Sequence, residues 1–260
     1  KINSKNLQFK FFDFKKKITD FKLNSILDDY NIIIHAGCTS NYRIESNKKN
    51  TYLKNLEITK RIAKFAYLKK KFLIYTSGAI VYNNQNIKNK ENSTLKIDNK
   101  NLYVQSKLKS EKELKKIKKK GLKLAIIRPS SIYGTRQKKN KIIPKMINKA
   151  IKEKKITIYN STNSTNFIHA SDVANFLYLL SKSKKTGIFN LGNQLYTFKK
   201  IASEIKRIFK CEINKKTSTK KFDNVQQLNV SIEKSQSILG WKPLVSLSKG
   251  FLSIKNNEII

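Results

Sequence analysis

Tyr103-Val104-Gln105-Ser106-Lys107 is the stretch on which the fold turns, because of what stands on either side of it. Upstream lies an apolar run closed by small polar residues, Phe72-Leu73-Ile74-Tyr75-Thr76-Ser77-Gly78. Downstream lies a second run closed by Arg-Pro, Leu124-Ala125-Ile126-Ile127-Arg128-Pro129. Short, continuous apolar runs of this kind read as buried strands of a parallel sheet. A tyrosine and a lysine four apart lie on one face of a helix. The spacing alone is cheap: Lys and Arg fill 56 of 260 positions, and Tyr67/Lys71, Tyr178/Lys182 and Tyr196/Lys200 satisfy it too. Context separates them. Tyr67 comes late in a helical pattern, Tyr178 sits among Phe176, Leu177, Leu179 and Leu180 and reads as core, and Tyr196 starts a helix with no strand-end hydroxyl near it. Tyr103 opens a helix between two strand patterns and is the candidate working residue; a purely structural tyrosine is the alternative.

Working outward, strand and helix patterns alternate. Phe9 to Asp13 reads as a strand, Ile18 to Asp29 as a short helix, Asn31 to His35 as a buried strand, and Leu53 to Lys70 as a helix with Leu56, Ala63, Phe65 and Ala66 on its apolar side. Phe72 to Ser77 is the next strand and Asn83 to Asn101 a polar loop. Leu102 to Lys119 is the helix of Tyr103, stopped by Gly121, and Leu122 to Arg128 is a further strand. The second half is more mixed. It has helices at Lys141 to Lys152, from Ser171 or Asp172 (either able to cap) to Ser181, at Thr197 to Phe209 and at Ile232 to Leu239. Strands fall at Ile156 to Tyr159 and Gly187 to Leu191. The pattern is that of an α/β, doubly wound, Rossmann-like parallel sheet with a smaller mixed α/β C-terminal region. Ligands in such sheets sit at the carboxyl ends of strands, where Asp13, His35-Ala36-Gly37, Thr76-Ser77-Gly78 and Pro129-Ser130-Ser131 all fall.

The net charge of +39 admits a polyanionic partner, but the lysines are spread over every helix and arginine, the better fork for phosphates and bases, is scarce. Solvated surface lysine is the expected reading, with no specific nucleic-acid partner. Cys38 and Cys211 define neither a disulfide framework nor a zinc spacing, and with only His35 and His169 besides, no metal site is expected. Both histidines are expected in core or turn positions, and Trp241 against the C-terminal helix. No run approaches a membrane span and no signal peptide is visible, so a reducing cytoplasm is the default.

Read together, these residues resemble the extended short-chain dehydrogenase/reductases, in their NAD-dependent epimerase/dehydratase branch. The resemblance rests on blocks in family order: Ile32 to Gly37; Ile74 to Gly78 with Val81-Tyr82; Tyr103 to Lys107; Ile127 to Gly134; Asn166 to Ala174; Phe189 to Gly192; and Leu239 to Pro243. Each is weak alone; their shared order over nearly the whole chain carries it. The resemblance implies Tyr103 as catalytic acid/base, Lys107 on the nicotinamide ribose and lowering the phenol's affinity for its proton, and Ser77 as the strand-end hydroxyl, with Thr76 or no hydroxyl as alternatives. It implies NAD, with NADP open, held by Asp13, Phe14, Ala36, Gly37, Asn55, Thr76, Tyr103, Lys107, Pro129 and Ser131. A nucleotide sugar would be bound by Gly78, Ser130, Arg136 and Asn190. Tyr82 and Tyr133 are expected in loop packing, with either able to border the sugar, and Asn190 is as readily a strand-end residue satisfying backbone groups. Residues 1–135 and 165–195 would form the cofactor domain, residues 136–164 and 196–260 the substrate region. Relatives often pair through the helices at Leu53 to Lys70 and Leu102 to Lys119, which implies a homodimer.

Three departures from the family pattern matter. No G-x-G-x-x-G occurs in the chain; by that comparison roughly fifty residues ahead of Phe9 are expected to be missing, leaving a fragment that binds cofactor weakly or not at all. The family's catalytic hydroxyl falls four residues before the tyrosine of the Val-Tyr pair, where this chain has Gly78. Thr165 and Asn166 stand where many members place a diphosphate-binding arginine, a role Arg136 can take. The leading expectation is a nucleotide-sugar epimerase working by transient oxidation at C4. A 4-ketosugar reductase or a dehydratase is the alternative within the family, the last disfavoured by Gly78-Ala79 in place of Asp-Glu. An inactive cofactor-less remnant and a basic nucleic-acid-binding protein are the alternatives of another class.

Overall fold

The structure, a computed structural model, describes residues 19–37, 49–83, 87–96, 101–159, 162–216 and 227–258. The chain forms two compact units, one of Lys1–Thr76 with Ile97–Ile126 and one of Ser77–Lys96 with Ile127–Ile260. The expected strand at Phe9 to Asp13 lies outside the described residues.

The first unit contains α1 (Asp20–Leu27), β1 (Ile32–His35), α2 (Lys49–Leu68), β2 (Phe72–Thr76), α3 (Leu102–Lys119) and the start of β3 (Leu124–Pro129). Thr19 caps α1, its hydroxyl accepting from Lys22 N. β1 pairs in parallel with β2, Ile32 opposite Phe72 through to His35 opposite Tyr75. β3 follows in the strand order, and Leu73 N donates to Lys123 O at 2.9 Å. Phe72, Leu73, Ile74 and Tyr75 are all buried, as a strand covered on both faces requires. α2 and α3 pack on each other. The side chain of Asn101 starts α3 by accepting from Tyr103 N and Val104 N. Gly121, at φ 113°, follows its last turn, a backbone state that glycine adopts without strain.

The second unit carries the remainder of β3, then β4 (Ser131–Tyr133), α4 (Ile142–Glu153), β5 (Lys155–Tyr159), β6 (Ser164–His169), α5 (Ala170–Ser183) and β7 (Gly187–Leu191). After these come β8 (Leu195–Thr197), α6 (Phe198–Phe209), β9 (Glu212–Lys216), α7 (Glu233–Leu239) and α8 (Leu247–Asn256). β7 lies beside β3, and Leu191 O accepts from Ser130 N at 2.8 Å. β4 pairs in parallel with β6, which pairs antiparallel with β8, while β5 and β9 form a separate parallel pair. One core cluster runs through Ile143, Ile147, Phe167, Ile201, Ile205 and Phe251. α4, α5 and α6 end on Lys154, Lys184 and Lys210, each in the left-handed region at φ 50–52°. α7 ends on Gly240 at φ 63°.

The expected α/β architecture, parallel strands alternating with helices and a mixed C-terminal part, is the one observed. Five elements were not anticipated; β6 is one of them, its sequence opening with the polar Ser164-Thr165-Asn166 before Phe167 and Ile168. β4 and β8 are three residues long, too short for a periodicity to show. β9, Glu-Ile-Asn-Lys-Lys, holds one apolar residue among polar ones, and α8 was not anticipated although Leu247, Phe251 and Ile254 recur at helical spacing and pack in the core cluster. Three placements also differ. α5 is capped by His169, whose Nδ1 accepts from Ser171 N at 3.2 Å, not by Ser171 or Asp172. Tyr178 is 60% exposed rather than core, because it lies on the outer side of α5 opposite Phe176 and Leu180. Trp241 packs on α5 instead of the C-terminal helix: its ring meets Phe176 edge-on at 5.3 Å and its Nε1 donates to Asp172 O at 3.1 Å. No helix among the described residues is long and apolar enough to cross a membrane.

Candidate active site

The buried positions of α3 are Val104, Ser106, Lys107, Ser110, Glu111 and Leu114, a stripe with helical spacing. Lys107 therefore falls on the inward face, only 3% exposed. A buried ammonium needs hydrogen-bond acceptors, and Lys107 Nζ donates to the carbonyl oxygen of Thr76, the last residue of β2, at 2.7 Å. Nζ also lies 5.0 Å from the centroid of the Tyr75 ring and 5.8 Å from that of Tyr103. Tyr103, one turn before Lys107 on the helix, is half-buried. The first unit thus brings together the tyrosine, the lysine and the end of β2, as the spacing predicts.

At the end of β1, His35 is 5% exposed and its Nε2 lies 3.0 Å from Thr59 Oγ1. Thr59 Oγ1 donates to Asn55 O at 2.8 Å, one turn back on α2. Burial, and secondarily the charge of Lys107, lower the His35 pKa to about 4, so the imidazole is neutral at neutral pH. Asn55 is 8% exposed, while Ala36 and Gly37 are exposed. Asp13 and Phe14 lie outside the described residues. Thr59 escaped the sequence reading, although its position four after Asn55 places it on the same helical face.

In the second unit Ser77 is 4% exposed and its N–H donates to Ile127 O at 2.8 Å. Gly78 and Pro129 are buried and Ser131 is half-buried. Ser130 Oγ donates to Asn166 Oδ1 at 2.9 Å. Arg136 is exposed, with a left-handed backbone at φ 65°. Tyr82 and Arg128 are buried together: the guanidinium donates to Tyr82 Oη at 3.0 Å and to Glu91 O at 3.1 Å. Tyr82 Oη in turn donates to Asn190 Oδ1 at 2.6 Å. Asn190 Nδ2 donates to Asn89 O, its N–H to Glu91 Oε1, and its carbonyl accepts from Ser235 Oγ. Every polar group of Asn190 thus has a protein partner. Tyr133 is 2% exposed, packed edge-on against His169 at 5.1 Å. Among the described residues no group of His, Cys, Asp and Glu could hold a metal ion.

Parallel strands alternating with helices, with a tyrosine and a lysine one turn apart beside a strand end, define a Rossmann-like α/β protein. A family model described as the NAD dependent epimerase/dehydratase family matches residues 4–192. The chain belongs to that family. Among curated relatives it is 27% identical to UDP-glucuronic acid decarboxylase 6 of Arabidopsis thaliana, over 50% of this chain and 39% of that protein. It is 29% identical to dTDP-D-glucose 4,6-dehydratase of Dictyostelium discoideum, over 72% of this chain and 47% of that protein. The chain thus spans less than half the length of these curated relatives. The solved structure of UDP-glucuronic acid 4-epimerase from Bacillus cereus, in complex with UDP-glucuronic acid and NAD, matches with a TM-score of 0.80 at 20% identity. That match covers 94% of this chain and 79% of that one, and at this identity it shows the fold.

Proposed function

We propose that the protein is an NAD-dependent enzyme that acts on a nucleotide sugar by transient oxidation at the C4 hydroxyl, with Tyr103 as proton-transfer group, and that its net reaction is epimerisation at that carbon. The observation that carries the proposal is the seat of Lys107, 2.7 Å from Thr76 O and 5.8 Å from the Tyr103 ring. A free phenol ionises near pH 10. An adjacent ammonium favours its anion, which makes it a usable base near neutrality.

The donor set fits the nicotinamide end of a dinucleotide. Lys107 commits one of its three N–H donors to Thr76 O, and the other two suit the vicinal hydroxyls of a ribose. Bound NAD would supply the hydride acceptor. Asp13, Phe14, Ala36, Gly37, Asn55, Thr76, Pro129 and Ser131 are proposed to line the cofactor, and Gly78, Ser130, Arg136 and Asn190 the sugar nucleotide. Ser77 is the strand-end hydroxyl of that assignment. Residues 1–135 and 165–195 are proposed as the cofactor region and residues 136–164 and 196–260 as the substrate region. The relatives named for UDP- and dTDP-sugars support the substrate class. Gly78-Ala79-Ile80 after β2 supplies no carboxyl groups for an elimination, which favours epimerisation over dehydration.

The decarboxylase relatives favour a second reading. A ketone made at C4 of a glucuronic acid is β to the C6 carboxylate, and such a β-keto acid loses carbon dioxide readily. NMR of the intact protein incubated with NAD and UDP-glucose, UDP-glucuronic acid, dTDP-glucose, GDP- and CDP-sugars separates the two. Inversion at C4 supports the first, a pentose product with carbon dioxide the second. Tyr103→Phe with unchanged turnover would remove both.

A further inference from the structure

Tyr75, next to last in β2, is 3% exposed. It stands opposite His35 in the parallel pairing of β2 with β1, and the two rings lie 5.5 Å apart, tilted by 45°. His35 is itself tied to Thr59 of α2. From α3, Lys107 sets its ammonium 5.0 Å from the centroid of the Tyr75 ring, nearer than to the ring of Tyr103 at 5.8 Å. The electron-rich face of an aromatic ring attracts a cation, the more so where water is excluded. Lys107 is buried, and a lysine carries its charge on a flexible stem. The carbonyl of Thr76 engages one of its N–H groups. One hydrogen bond leaves the ammonium free to pivot. The Tyr75 ring supplies a second fixed point, one residue back on the strand.

We propose that Tyr75 is a positioning residue, the face of its ring holding the Lys107 ammonium in place beside Tyr103. This rests on the reading of Tyr103 as proton-transfer group given above. Tyr75 transfers no proton and acts only through Lys107. The steadier the ammonium, the more readily Tyr103 gives up its proton and serves as a base. The aromatic face is what this role needs, not the hydroxyl. His35, with a pKa of about 4, is neutral near neutral pH and adds no competing charge beside the ring. Thr59, which reaches the group from α2, carries none.

The test follows kcat/KM against pH, with NAD saturating, in the intact protein and in variants at position 75. With Tyr103 as base the profile rises with pH to a plateau. Tyr75→Leu removes the ring, and its midpoint is expected about half to one pH unit above wild type. On the acid limb kcat/KM then falls by about three- to tenfold, while the plateau changes little. Tyr75→Phe keeps the ring and is expected to bring the midpoint back. Leucine leaves space in a buried site, so phenylalanines with one and then three ring fluorines in place of Tyr75 carry the decision. They keep the shape, weaken the face of the ring stepwise, and are expected to raise the midpoint stepwise at nearly constant Tm. A merely structural ring would scale the whole profile and leave its midpoint in place. An unmoved midpoint through the fluorine series, or Tyr75→Phe shifted as far as Tyr75→Leu, overturns the proposal. If Tyr103→Phe is inactive alongside, the Tyr75 assignment alone falls. An active Tyr103→Phe removes the reading beneath it.

Discussion

The Nε2 of His35 donates to the hydroxyl of Thr59 across 3.0 Å, because Thr59 has already given its own proton to Asn55 O. The tautomer follows: the proton of the neutral ring sits on Nε2. Protonating the other nitrogen would place a second cation in the field of Lys107. With a folded pKa of about 4 against 6.5 unfolded, the unfolded chain binds a proton that the native protein refuses between these values. Stability is therefore full above pH 6.5 and falls as the pH drops toward 4, by on the order of 3 kcal/mol. Burial lowers the His169 pKa as well, so the two rings share the slope. Urea unfolding between pH 7.5 and 5 is expected to show the decline. His35→Gln, which keeps the donor to Thr59, should flatten part of it; an unchanged slope would refute the assignment.

Lys107 is a buried cation whose recorded hydrogen bond goes to a neutral carbonyl. Desolvating such a charge is unfavourable, and its removal offsets the lost hydrogen bond to Thr76 O. Lys107→Met is thus expected to leave Tm within a few degrees of wild type. Under the proposed function it lowers kcat/KM by at least about a hundredfold, the scale of a lost acid-base component. Thermal melts and steady-state kinetics on the same preparation check both halves.

Two glycines make opposite predictions. Gly78 is extended (φ 178°), and a Cβ there would lie 3.7 Å from Ile80 Cγ2 and 3.9 Å from Pro129 O, ordinary contacts. Gly78→Ser should fold with a stability change under about 1 kcal/mol. At Gly250 a Cβ would fall against Tyr133 Oη and within 2.8 Å of its Cε2, and that ring is wedged among Phe167, His169 and Phe251. Gly250→Ala should lose about 2 kcal/mol or more. Denaturant midpoints of the two variants decide the matter.

Asp172 ties α5 to the segment after Trp241. Oδ1 accepts from Leu244 N at 2.8 Å and Oδ2 from Val245 N at 3.2 Å. Asp172→Ala leaves two backbone donors without partners, and a loss of about 2–4 kcal/mol is expected. Hydrogen exchange at Leu244 and Val245 should accelerate in the variant, whereas the amides of α3 should not change ahead of global unfolding.

The fold was legible where an element ran between residues that end it. Leu102 to Lys119 matches α3 residue for residue, and Gly187 to Leu191 matches β7. Both are bounded by residues with a physical reason to stop a helix or start a strand. Short or polar elements such as β4, β8 and β9 were not, because three residues carry no period and a side chain's burial there depends on distant partners. At the candidate site, Tyr103 and Lys107 were legible from helical spacing and flanking strands. The network around Asn190 was not: Glu91 and Ser235 reach it from 99 and 45 residues away, and no local pattern encodes such a meeting.

Lys154, Lys184 and Lys210 close three helices in a backbone state usually reserved for glycine. An L-residue held there is disfavoured by about 1 kcal/mol relative to its preferred conformations. The lysine surplus of this chain is therefore a conformational matter as well as an electrostatic one, since it has reached helix ends that a less biased composition would leave to smaller residues. Glycine at these three places would relax the turns and lower the positive charge together, a route to a hardier protein that touches neither Tyr103 nor its neighbours.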